Sequence, residues 1–150
     1  MTATTDRQPG LPDGFEDALS HLQCALVARR SRTDPEGLTW QQYDALELLR
    51  LRGAMTPSQL GERLGVSRQT TSKALRVLKD LHLVGQRPAG PDRREVDTYL
   101  TPEGAAHLTR AAAQRRHNAR TAAGALSPGE RALFAELCAR AARALEEDAG

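Results

Sequence analysis

Residues 56–101, TPSQLGERLGVSRQTTSKALRVLKDLHLVGQRPAGPDRREVDTYLT, constrain the fold more than any other part of the chain. Thr56-Pro57-Ser58-Gln59 sets an N-cap threonine, a proline at the first helical position and a glutamine three residues after the cap. Such a capping box satisfies donors that a helix start leaves unpaired. Leu60 and Leu64 then face one way, and Gly65 supplies the positive φ that ends the helix. Ser67 caps a second helix, in which Thr71, Ala74, Leu75, Leu78 and Leu81 recur at core-facing spacing. Its opposite face carries Gln69, Ser72, Lys73 and Arg76 at i, i+3, i+4 and i+7, a set able to reach one partner together. A strand, the turn Pro88-Ala89-Gly90-Pro91 and a return strand with Val96, Thr98 and Leu100 alternating inward complete the stretch. The order is helix, tight turn, helix, then a hairpin with a basic tip: a helix-turn-helix with a wing.

At these residues the chain resembles the MarR family of bacterial winged-helix transcriptional regulators, from about Leu11 to the end. GVSRQTTSKAL is similar to the family's turn and recognition helix. LHLVGQRPAGPDRREV is similar to its wing, with Asp92-Arg93-Arg94 matching a D-x-R element, and YLTPEGAAHL to the return strand and following helix. The resemblance implies a mainly α fold with a small β-wing. A winged helix-turn-helix DNA-binding lobe is expected at 39–101, dimerisation helices at 11–37 and 102–147, and a flexible tail at 1–10, all of 11–150 forming one domain. Two positions depart from the family's pattern. His82 stands where a glycine usually ends the recognition helix; a left-handed histidine is uncommon but allowed there, and a strained or shifted helix end is expected over a pH-sensing role. Gln86 stands where many relatives have the first wing arginine, and Arg87 is expected to take over that role.

The charge distribution agrees. Net charge over the 150 residues is only +2. From Ser67 to Arg94, however, seven basic residues (Arg68, Lys73, Arg76, Lys79, Arg87, Arg93, Arg94) face two acidic ones (Asp80, Asp92), a net of +5. From Leu11 to Arg50 four basic residues meet seven acidic ones, a net of −3. Positive charge concentrated on one helix and hairpin is the footprint of phosphate contact. Only 3% of residues are aromatic, so leucine and alanine must fill the core. No run approaches the roughly 18 apolar residues of a membrane span, and no signal-peptide pattern opens the chain. Two cysteines without metal-like spacing point to a reduced, cytoplasmic chain.

Outside the central stretch, helical periodicity recurs. A first helix is expected from about Pro12 or Asp13, with Phe15, Ala18, Leu19, Leu22 and Leu26 in one stripe and arginines near its end. Thr39-Trp40-Gln41-Gln42 is a second capping box, opening a helix with Tyr43, Leu46 and Leu49 on one face that closes at Gly53. Ala54-Met55 leaves room for a short edge strand against the wing. Thr101-Pro102 restarts a long helix with Ala105, Leu108 and Ala112 inward, ending at Gly124. Ser127-Pro128-Gly129-Glu130 opens the last, with Leu133, Leu137, Ala141 and Leu145 in line and Cys138 read as core.

For recognition of double-stranded DNA, the N-terminal end of the second helix of the pair would enter the major groove, which makes Ser67, Arg68, Gln69, Thr70, Ser72 and Lys73 the candidates. Gln69 suits adenine, and Arg68 or Lys73 suits guanine or phosphate. A merely solvated helix face is the bland alternative for any one of them. Arg94 is expected to probe a narrow minor groove. Asp92 would aim an arginine by a charge-assisted bond, or else merely start the turn. The family resemblance further implies a homodimer on a palindromic operator, acting as a repressor, and response to a small aromatic or phenolic effector, to which no residue set is assigned. Trp40 and Tyr43 would line such a cleft or, the stronger reading, anchor the core. Cys24 falls nearly opposite the first helix's stripe, hence partly exposed; redox sensing there is the alternative to a packed or idle thiol. The chain lacks a glycine-rich strand-turn-helix, a nucleophile elbow and a metal cluster, so neither enzyme nor cofactor nor metal is expected. A non-DNA-binding winged-helix interaction module and a fragment of a larger enzyme are the competing classes.

Overall fold

The computed structural model describes residues 10–92 and 94–148. Residues 1–9 of the expected tail, and Arg93 of the wing, lie outside the described residues. The chain falls into two compact units, Met1–Asp34 and Pro35–Gly150.

Among the described residues the first unit holds one helix, α1 (Phe15–Arg30). It begins two residues later than periodicity indicated, because Gly14 takes a left-handed φ of 81° just before it. Glu16 and Asp17 sit in its first turn and Arg29 and Arg30 in its last, matching both ends of the dipole. None of its residues is buried: Phe15, Leu19, Leu22 and Leu26, the whole apolar stripe, lie exposed. Cys24 is exposed as its phase required.

The second unit runs α2 (Trp40–Arg52), α3 (Pro57–Leu64), α4 (Arg68–Asp80), β1 (Val84–Pro88), β2 (Val96–Leu100), α5 (Pro102–Gly124) and α6 (Pro128–Asp148). The three capping boxes form as expected. Gln42 and Gln59 return a side-chain oxygen to the backbone N–H of Thr39 and Thr56 at 3.0 Å, and Glu130 does so to Ser127 at 2.8 Å. β1 and β2 pair antiparallel with Val84 opposite Leu100 and Pro88 opposite Val96. Met55 adds the expected edge contact, exchanging both backbone hydrogen bonds with Thr98 (3.1 and 2.8 Å). Leu46, Leu60, Leu78 and Leu108 are almost wholly buried and bind α2, α3, α4 and α5 into one core. Each such leucine contributes roughly 1.5–3 kcal/mol.

Several core assignments are corrected. Leu81 is exposed, because α4 ends at Asp80 and Leu81 has already left the helical phase. In α5 it is Gly104 and His107 that are buried, with Leu108 and Ala112, while Ala105 faces out. Val96 and Leu100 are half-buried, and Thr98 alone on that strand is fully enclosed. Along α6 no residue is buried, so Cys138 is exposed and Leu133, Leu137 and Leu145 form an open stripe.

His82 takes the left-handed conformation (φ 59°) at the end of α4. Its N–H bonds the Lys79 carbonyl (2.9 Å) and the Leu83 N–H bonds that of Leu78 (2.9 Å), the paired bonds of a Schellman motif. The Thr101 hydroxyl donates to the His82 carbonyl (2.7 Å) and accepts from the Gly104 N–H (3.0 Å), tying the end of α4 to the start of α5. A non-glycine residue there costs about 1–2 kcal/mol, more than the roughly 0.5–1 kcal/mol of extra unfolded-state entropy that glycine brings. His82→Gly is therefore expected to raise stability by about 0.5–1 kcal/mol, read as a higher urea midpoint at unchanged slope.

Candidate nucleic-acid interface

Helix α4 is built so that one face is fixed and the other is left free. The Ser67 hydroxyl caps it, accepting the Thr70 N–H at 3.1 Å, and lies 2.9 Å from the Thr70 hydroxyl. The Thr71 hydroxyl donates to the Ser67 carbonyl (3.0 Å) and is buried against α3. There Gly61 permits the close approach: a Cβ on it would stand 2.6 Å from Thr71 Oγ1. Thr71, Ala74, Leu75 and Leu78 thus lock α4 to α3 and the core. On the outer face Arg68, Gln69, Ser72, Lys73 and Arg76 are all exposed. Among the described residues their side chains engage no ion pair or side-chain hydrogen bond. Of the expected contact set, Ser67 and Thr70 are therefore structural as well as forward-lying, their hydroxyls paired with each other, while Arg68, Gln69, Ser72 and Lys73 stand clear.

The wing is braced from behind. Lys79 Nζ donates to Gln86 Oε1 (3.2 Å), and Gln86 Nε2 donates to the buried Thr98 hydroxyl (3.2 Å), linking α4 to β2 through β1. On the other face the Tyr99 ring covers Gly85, directly opposite it in register, and the Arg87 guanidinium lies 5.2 Å from that ring's centroid. Cation–π stacking of this kind holds an arginine in place without neutralising it. At the tip the Ala89 N–H reaches the Glu95 carbonyl (2.9 Å) and closes the loop. Asp92 Oδ1 accepts the backbone N–H of Arg94 (3.0 Å), which is an Asx turn. Of the two readings of Asp92, this geometry is the turn: the carboxylate shapes the backbone, and the Arg94 guanidinium is exposed without an ion pair among the described residues. Neither the Lys79–Gln86–Thr98 relay nor the Arg87–Tyr99 stack was anticipated; the only advance signal was that Gly85 and Tyr99 fall opposite each other in an antiparallel hairpin.

Behind the interface a polar cluster fastens α5 to α2. Glu47 accepts from Arg50 on its own helix and from Arg115 of α5 (2.9 Å). Burial is the largest single influence on the Glu47 carboxyl and opposes its ionisation. The Arg50 hydrogen bond and the Arg115 charge together outweigh it, and the carboxyl sits below the usual range. Burial, then the Glu47 charge, pushes the Tyr43 hydroxyl up. Tyr43 is 6% exposed and meets Trp40 edge to face (5.4 Å, 76°), so this aromatic pair anchors the core.

Residues 36–95, from just before α2 to the wing tip, match the family model described as MarR family. Over that lobe the chain is similar to the MarR family. No curated protein matches the chain. Solved structures similar to the chain include RV1404 from Mycobacterium tuberculosis, at 27% identity and a TM-score of 0.64 over 86% of this chain and 93% of that one. A probable transcriptional regulator from Pseudomonas aeruginosa is similar at 26% identity and a TM-score of 0.61, covering 85% and 96%. BpsR of Bordetella bronchiseptica, whose structure concerns regulation of its DNA binding by 6-hydroxynicotinic acid, is similar at 25% identity and a TM-score of 0.63, covering 85% and 98%. Among the described residues, six helices and a two-stranded antiparallel sheet make up a winged-helix fold that matches that of the MarR family. No helix among the described residues is long and apolar enough to cross a membrane.

Proposed function

We propose that the chain is a sequence-specific DNA-binding transcriptional regulator, not an enzyme, acting in the cytoplasm as a homodimeric repressor on a palindromic operator. The observation that carries this reading is the free outer face of α4, where uncharged readers (Gln69, Ser72) stand beside cations (Arg68, Lys73). Phosphate contacts position a protein on the duplex and base-edge contacts specify the sequence, and this face offers both kinds of side chain. Arg94, at the wing tip beyond the Asp92 turn, extends the contact to the adjacent minor groove. Dimerisation is supported by the exposed stripes of α1 and α6, Phe15 at 50% and Phe134 at 41% among them, which a monomer leaves in water. Response to a small aromatic acid is supported by the likeness to BpsR, which 6-hydroxynicotinic acid regulates.

Selection of bound sequences from random duplexes, with light scattering alongside, tests the reading; a monomer, or a protein that ignores every duplex at low salt, would refute it. Within that experiment Arg94→Ala is expected to weaken binding to all duplexes alike and to reduce the slope of log affinity against log salt by about one. An unchanged slope would remove Arg94 from the contact set.

A further inference from the structure

Helix α6 ends against its own dipole. Glu146, Glu147 and Asp148 close it and no basic residue stands in its last turn, although the free carbonyls there already carry partial negative charge. Nor does packing hold this end, since α6 buries no residue. The carboxylate instead finds its partners across the fold. Glu146 Oε2 accepts a hydrogen bond from Arg63 on α3 and lies 3.5 Å from the guanidinium of Arg52 at the end of α2. Among the described residues, the ion pairs that join α6 to the α2–α3 pair all run through Glu146. Both arginines border an open, polar cleft between α2 and α3 rather than a packed surface, so little else restrains this junction.

We propose that Glu146 is a positioning residue for DNA recognition: its clasp on Arg63 and Arg52 fixes the DNA-binding lobe relative to α6 and thereby sets the half-site spacing that a pair of copies accepts. The inference rests on the dimeric, DNA-binding reading above. Its mechanics follow from the fold. Because Gly61 lets α3 pack directly on Thr71 of α4, a handle on Arg63 is a handle on the recognition helix. α6 presents Leu133, Phe134 and Leu137 on its open stripe, the surface offered to the second copy. One carboxylate held by arginines from two helices resists rotation about either contact alone. Side chains that remain 19–31% exposed make this a modest restraint, suited to biasing a spacing rather than to holding up the fold.

The test compares the full-length chain with Glu146→Gln on palindromes recovered by selection, rebuilt with the half-sites one base pair closer or farther apart. The wild type is expected to favour one spacing. Glu146→Gln is expected to remain a dimer by light scattering while its preference for that spacing falls about threefold, the scale of a partly exposed ion pair. The double reversal Glu146→Arg with Arg63→Glu is expected to recover the preference. A Glu146→Gln dimer that keeps the wild-type preference, or loses affinity equally at every spacing, overturns the proposal. A wild-type chain that binds no duplex defeats the functional reading itself, and this inference with it, a result plainly different from either of those.

Discussion

Gly104→Ala is expected to lower stability by about 2 kcal/mol, a large effect for one methyl group. Overpacking typically costs about 1–3 kcal/mol, against which alanine's better helix propensity returns about 1. The upper end applies here because the obstacle is main chain. A Cβ on Gly104 would run into the Leu83 carbonyl and stand 2.7 Å from Leu100 Cδ1. That carbonyl cannot retreat easily: it accepts the Thr101 N–H (3.2 Å), while the Leu83 N–H is held by Leu78. Far-UV circular dichroism against urea gives the value, with Gly129→Ala as the control, since nothing lies within 4 Å of a Cβ there. A Gly104→Ala midpoint equal to the control would mean that α5 can lift from Leu83 without penalty.

Gln69→Ala is expected to reduce affinity for the selected operator by about 1–3 kcal/mol, roughly fivefold to 150-fold, and to relax preference at one base pair. Its side chain is exposed and engaged with nothing in the protein, so the urea midpoint should not move. Binding to random duplex should also hold, because the cations that meet phosphate are untouched. Fluorescence anisotropy on operator and on random DNA separates this pattern from the uniform loss expected of Arg94→Ala. Equal loss on both duplexes would make Gln69 a backbone contact and shift base reading to Ser72 or Lys73.

What could be read in advance divides along physical lines. Caps are local: a Thr or Ser followed three residues later by Gln or Glu carries its own hydrogen bonds, and Thr39, Thr56 and Ser127 behaved accordingly. The left-handed turn at His82 was signalled by the resemblance, which sets a glycine at that position, and not by a local pattern. Hydrophobic period located the inward faces of α2, α3 and α4, because a core surrounds them on this chain. The same period in α1 and α6 identified an apolar face without identifying what covers it, hence Cys138 in the open. Gly104 escaped because a pattern of apolar side chains cannot register a residue whose contribution is to have none; Ala105 took its place in the reading. Of the candidate contact set on α4, the free side chains followed from helical phase. The Asx turn at Asp92 depended on backbone geometry at the wing tip, and the Glu146 clasp on a partner 83 positions away in sequence. The 83-residue separation lies outside any local window, whereas the Asp92 turn spans two residues and was one of the two readings left open there.

The scarcity of aromatic residues has a practical corollary. Trp40 is the only tryptophan, and it lies against the α2–α4 core, edge-on to Tyr43. Intrinsic emission is therefore a built-in gauge of melting in the DNA-binding lobe, needing no dye. Scatter from the same cuvette follows association, so colour and scatter watched together separate melting of this lobe from any change in assembly.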